Sequence, residues 1–191
     1  MVRYVAGVAN AKIAEWTETQ PMTFPKVEMP AEELQALQQR VAAFNSAMEA
    51  HSNAPPLVLS SRDVNALMAG STNIPGLKDM CYVEIEGDRI KGELSLPLGK
   101  YFRFPFVHFK GRYLNGAGTF QVAVSNEALS VYVQSLEVKG KPLPPEFMAQ
   151  LSGKDMAADF NKNPSNAVTM SHYESILVTN GTIIVKGQVL K

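Results

Sequence analysis

The sequence predicts an α+β fold: an antiparallel sheet built from hairpins, covered by one long N-terminal helix and several short helices. Three observations point there. Leu34, Leu37, Val41, Phe44 and Met48 recur at steps of three and four, the period of a helix with one apolar stripe. Three two-residue turn signals, Gly87-Asp88, Asn126-Glu127 and Asn180-Gly181, lie between strand-like runs whose apolar residues fall into register. No strand–helix–strand repeat of parallel character is visible.

The 191 residues suffice for one sizeable core. We divide them into an N-terminal segment, 1–29, and a single α+β domain, 30–191. The opening MVRYVAGVANAKIAEW is apolar and rich in small residues. It reads as a short docking helix, as the remnant after a membrane anchor, or as a tail. Pro21, Pro25 and Pro30 bracket a linker without regular structure. The long helix then runs from about Pro30 to His51. Glu32 and Glu33 lie in its first turn, where the free amides favour negative charge. Gln35, Gln38, Gln39 and Arg40 form its polar face. Its length of about 30 Å is enough to cross a sheet. Only about two heptads are present, so packing on its own domain is favoured over a coiled coil.

Leu57–Leu59 reads as a short strand. Ser60 and Asp63 form a capping box with aspartate in place of glutamate. The short helix that follows is expected to bury Val64, Leu67 and Met68, with Asn65 on its polar side and Gly70 as its stop. In the first hairpin Ile85 faces Ile90, Glu84 faces Lys91 as an ion pair, and Cys81 faces Leu94. In the second, Val124 faces Leu129, Val122 faces Val131 and Phe120 faces Val133. In the third, Val178 faces Ile183 and Ile176 faces Val185, while Leu177 and Ile184 pair on the reverse side. That last segment is apolar on both faces, which predicts a cover for each. Gly111, Gly116 and Gly118 are read as bends or as sites where a helix backbone comes close. Pro144-Pro145-Glu146 starts a helix with Phe147, Met148 and Leu151 inward and Gly153 as breaker. Asp155–Phe160 is a short turn of helix, Asn163-Pro164-Ser165 a stop, and Ala167–Tyr173 helical or irregular.

Lysine plus arginine balances aspartate plus glutamate, 18 against 18, and no run of like charge appears, so nucleic acid is not an expected partner. Lys100, Arg103, Lys110 and Arg112 form at most a weak basic patch. The single cysteine, Cys81, excludes an intrachain disulfide and reads as a small buried hydrophobe. His51, His108 and His172 are far apart in the chain, and none has metal-ligand spacing, so no metal and no cofactor are expected. His172-Tyr173-Glu174 and the pair Asp155 and Asp159 are better explained as surface residues than as acid–base clusters. No serine sits in a nucleophile elbow. An enzyme is therefore not the expected reading. Were it one, Asn65, Asn115, His108 and His172 would be the groups to converge.

The most unusual composition is Tyr101–Phe109, YFRFPFVHF. It reads as a loop or edge strand tucked on the core, with Pro105 blocking a further strand. Alternatively, Tyr101, Phe102, Phe104, Phe106 and Phe109 line a hydrophobic groove or patch, with Asn65 and Arg103 as polar contacts.

Four segments together resemble one pattern: LVLSSRDVNALM (57–68), VEIEGDRIKGELSLPL (83–98), residues 111–151 and ESILVTNGTIIVKG (174–187). They resemble the extracytoplasmic part of bacterial membrane-anchored proteins of the YpmS-like group. In that group a membrane segment and a helix precede an L-T/S-x-x-D/E-x-N-x-L element and a set of hairpins, and Asn65 and Leu67 match that element. The resemblance covers about two thirds of the chain, which itself carries no membrane segment. It brings no established chemistry. It implies an extracytoplasmic place, anchored in the full-length protein or otherwise soluble. It also implies a likeness to tubular lipid-binding domains, with the long helix across a curved sheet and the aromatics bordering a groove. The function expected is a non-enzymatic, envelope-associated domain that binds lipid or another apolar ligand. The alternative is a structural or protein-interaction module with an exposed aromatic patch.

Overall fold

The computed structural model describes residues 14–70, 76–101 and 110–188, with the backbone alone at Tyr101 and Ser125. The long helix, α1, spans Ala31–Glu49. Then come β1 (Leu57–Ser60), α2 (Ser61–Gly70), a 3-10 turn (Leu77–Asp79), β2 (Cys81–Glu86), β3 (Arg89–Pro97) and α3 (Leu98–Tyr101). The chain continues with β4 (Tyr113–Ser125), β5 (Ala128–Val138), β6 (Lys141–Pro142), α4 (Pro145–Ser152) and α5 (Ala158–Asn161). It ends with α6 (Pro164–Ser171), β7 (Tyr173–Thr179) and β8 (Thr182–Gly187).

The fold is α+β, but the hairpins divide between two antiparallel sheets. Five strands run in the order β2-β3-β4-β5-β6, and three in the order β1-β8-β7. The division arises because β1 pairs with β8, from the far end of the chain, and α1 covers the resulting sheet. All three hairpin registers follow from the sequence: Ile85 pairs with Ile90, Phe120 with Val133, and Leu177 with Ile184. Glu84 does face Lys91, yet the lysine forms its ion pair with Glu86 instead.

α1 buries Leu37, Phe44 and Met48, with Leu34 and Val41 half-buried beside them, as its stripe requires. Phe44 and Met48 pack on Val185, Ile183 and Ile176, while Leu37 packs with Leu59 and Ala66. The helix comes so close to β8 that a Cβ at Gly187 would lie 1.7 Å from the Met48 sulfur. The core of the larger sheet holds Leu94, Leu96, Leu114, Val133, Leu136, Val138, Leu143 and Leu151. A bulge at Thr119/Phe120 lets both Val133 and Leu136, an odd and an even position, point inward. Here the backbones nearly touch: a Cβ on Gly118 would sit 2.1 Å from the Ser135 carbonyl oxygen. The close approach is therefore to a strand, not to a helix.

Asparagine closes the outer edge of β2 and the stretch of β5 that the two-residue β6 leaves uncovered. Asn65 donates to the Val83 carbonyl (2.7 Å) and to Ser61 (2.8 Å) and accepts from the Val83 N–H (2.9 Å). Ser61 Oγ accepts from Ile85 N–H at 2.8 Å. On β5, Asn161 donates to the Leu129 carbonyl (2.7 Å) and accepts its N–H (3.2 Å). Asp155 and the Met156 amide do the same for Val131, with Oδ1 accepting its N–H (3.0 Å) and the amide donating to its carbonyl (2.8 Å). These side chains stand in for the missing neighbour strand.

Several expectations need correction. Asn65 is not on a polar face: it is 3% exposed, and with Ala66 it is the buried part of α2, while Val64, Leu67 and Met68 are half-buried. The reason is that α2 presents its amide to the backbone of β2. Phe147 is exposed, because α4 sets Met148 and Leu151 against the core and turns the neighbouring position outward. Asn163-Pro164-Ser165 starts a helix: Asn163 caps α6 by accepting the Ser165 N–H, and Pro164 occupies its first turn. The capping box holds, with Ser60 Oγ accepting from Asp63 N–H (3.2 Å) and Asp63 from Ser60 N–H (3.0 Å).

Residues 17–30 lack regular structure but are tied down. Glu18 and Tyr113 exchange both backbone bonds at 2.8 Å. Arg112 donates to Thr17 Oγ1 (2.7 Å), Asn115 to the Gln20 carbonyl (2.9 Å), and Met22 N–H to Ser95 Oγ (3.1 Å). Trp16 packs against the larger core.

Candidate functional site

The face of the three-stranded sheet opposite α1 is the feature that packing leaves unexplained. Strand alternation puts Val58, Ile184 and Leu177 on it, and their registers make one row, with Val58 beside Ile184 and Ile184 beside Leu177. Val58 is 46% and Leu177 49% exposed, and Ile184 between them is half-buried. The expected second cover is therefore not found among the described residues. Ser60, Thr182 and Thr179 form the next row along the strands, and Ser175 with Lys186 the row on the other side. The result is a small apolar centre with a hydroxyl-rich rim and one lysine. Sequence reading found two of the three members of this row, the pair Leu177 and Ile184. It missed Val58 because nothing local tells β1 that its partner is β8.

Of the residues singled out from sequence, Phe102, Arg103, Phe104, Phe106 and Phe109 lie outside the described residues, as does His108. Tyr101 ends α3, with its backbone alone described. Asn65 is described, and all three of its bonds go to backbone. Asn115 accepts from Ser95 Oγ (2.8 Å) and holds Gln20, so it anchors the N-terminal segment. Arg112 of the basic patch does the same.

The remaining reactive groups have structural surroundings. Burial pushes the Cys81 thiol up to about 11, so it stays protonated at neutral pH, with its S–H directed at the Met68 sulfur 3.7 Å away. Burial also raises Tyr173, whose hydroxyl donates to Asn45 Oδ1 at 2.7 Å. Asp159 is fully exposed and held below its ordinary value by its hydrogen bond and charge pairing with Lys162. Asp155 faces the other way, into the β5 edge. Among the described residues no three of His, Cys, Asp and Glu gather as a metal centre. No described helix is long and apolar enough to cross a membrane.

The chain matches no family model, no curated protein and no solved structure.

Proposed function

We propose that this protein is a binding domain without chemistry of its own, and that it holds a protein partner on the outer face of its three-stranded sheet. The observation that carries this is the in-register row Val58, Ile184 and Leu177, apolar and about half exposed at both ends. An apolar centre inside a polar rim is the usual anatomy of a protein contact. Docking on a membrane surface calls for basic residues and interfacial aromatics, whereas among the described residues the rows of this face hold Lys186 and no aromatic. Burying the exposed halves of Val58 and Leu177 is worth about 1 kcal/mol each, enough to position a partner when joined by rim hydrogen bonds.

The test is site-specific photo-crosslinking at Leu177 in cells that express the full-length protein, with Val168 on α6, which is more exposed still, as the control position. The expected result is a discrete adduct from position 177 that disappears when Val58→Ser is added. Crosslinking no stronger than at position 168 would overturn the proposal.

A second reading is favoured by a different observation, the composition of Tyr101–Phe109 and the resemblance described above: the binding of lipid or another apolar ligand at an aromatic groove. Native mass spectrometry with lipid extraction of the purified protein tests it, and co-purified lipid lost on Phe104→Ser and Phe106→Ser is the supporting result. A place in the cell envelope rests on the resemblance alone. Fractionation of cells expressing the full-length gene product decides it.

A further inference from the structure

His51 and His172, far apart in sequence, meet in the fold with ring centres 5.9 Å apart and planes at 90°. His51 lies just beyond the end of α1, and His172 caps the end of α6. Their backbones are fixed: His51 N–H donates to the Met48 carbonyl (3.0 Å), and the His172 carbonyl accepts from Gln188 N–H (2.7 Å). The next residue, Tyr173, is locked to α1 through Asn45 and through its ring contact with Phe44 at 5.8 Å. His51 is exposed and His172 half-exposed, so solvent reaches the pair. Among the described residues neither ring has a side-chain hydrogen bond to compete with another ligand.

We propose that His51 and His172 together bind one divalent transition-metal ion, with water completing its coordination. Imidazole nitrogen binds such ions at about 2.0–2.1 Å, so two rings sharing one ion have centres about 5–6.5 Å apart, from tetrahedral to linear arrangement. The observed centre-to-centre separation of 5.9 Å falls inside that window. Imidazole suits zinc, copper and nickel rather than magnesium or calcium. Structural zinc sites use four protein ligands, so a two-ligand site would respond to metal supply rather than hold a permanent structural ion. Because the ligands come from the two ends of the domain, the ion would clamp the end of α1 to the α6–β7 junction. It would bind the folded chain in preference to the unfolded one.

The test is calorimetric titration of the untagged protein with nickel, zinc and copper salts in a non-chelating buffer. The expected result is one ion per chain, with affinity at least tenfold weaker in both His51→Ala and His172→Ala and unchanged in His108→Ala. The metal should also raise the urea midpoint of the wild type but not that of His172→Ala. Both substituted side chains reach solvent, and His51→Gln and His172→Gln keep the polar bulk should an alanine variant fold poorly. Absence of saturable binding, or binding that survives loss of both histidines, overturns the proposal.

Discussion

Replacing Asn65 by alanine tests the account of how α2 is attached. The side chain is 3% exposed and makes three bonds of 2.7–2.9 Å, two of them to Val83. The substitution strands one N–H and one carbonyl on the β2 edge. A buried backbone group without its partner costs about 1–3 kcal/mol. Val83 is half-buried, so water recovers part of that, and the expected loss is about 2–4 kcal/mol. With a urea slope of about 2 kcal/mol per molar, the midpoint should fall by about 1–2 M at unchanged slope. Asn65→Asp should do no better, since it keeps the acceptor for Val83 N–H but turns a carboxylate toward the carbonyls of Ser61 and Val83. Asn161→Ala, which removes the matching pair of bonds to Leu129, should cost about 1–2 kcal/mol. The measurement is equilibrium urea unfolding followed by circular dichroism. A change below about 0.5 kcal/mol for Asn65→Ala would refute the edge-closure argument. It would return Asn65 to the role of a ligand contact.

Three further outcomes are expected. Gly118→Ala drives a Cβ to within 2.1 Å of the Ser135 oxygen, a strand backbone atom that cannot step aside, and should cost about 3 kcal/mol or more in thermal or urea unfolding; a cost under about 1 kcal/mol would contradict the close approach. Glu127→Gly should stabilise by about 0.5–1 kcal/mol, because Glu127 is an exposed turn residue held at φ +61°; a neutral or negative result would show that the left-handed turn carries no strain. Cys81 has a native pKa of about 11 against an ordinary 9.0, so folding holds its proton more tightly than the unfolded chain does. Its contribution is complete below pH 9 and is lost as pH rises toward 11, by up to roughly 2–3 kcal/mol, and Cys81→Ala should abolish that part of the alkaline stability loss. Thiol labelling of the native protein should correspondingly be slow at pH 8.

The sequence by itself determined the local architecture. A helical stripe, a capping box and three turn dipeptides are short-range signals. A two-residue turn fixes the pairs that follow it as far as the first bulge, so Ile85 with Ile90 and Phe120 with Val133 needed no tertiary information. Features that depend on partners distant in the chain were decided only by the tertiary structure. β1 carries no mark that says β8, so neither the second sheet nor the place of Val58 in the apolar row could be read from its four residues. Asn65 looked like a polar-face residue because helical periodicity describes which side of a helix is apolar, not which backbone lies opposite. His51 and His172 looked unrelated because their contact requires the chain just beyond α1 to meet the end of α6. Local sequence sets conformation through dihedral preference and side-chain period. What becomes a surface, an edge or a pair of ligands depends on which distant elements share a boundary, and that follows from the packing of the whole chain.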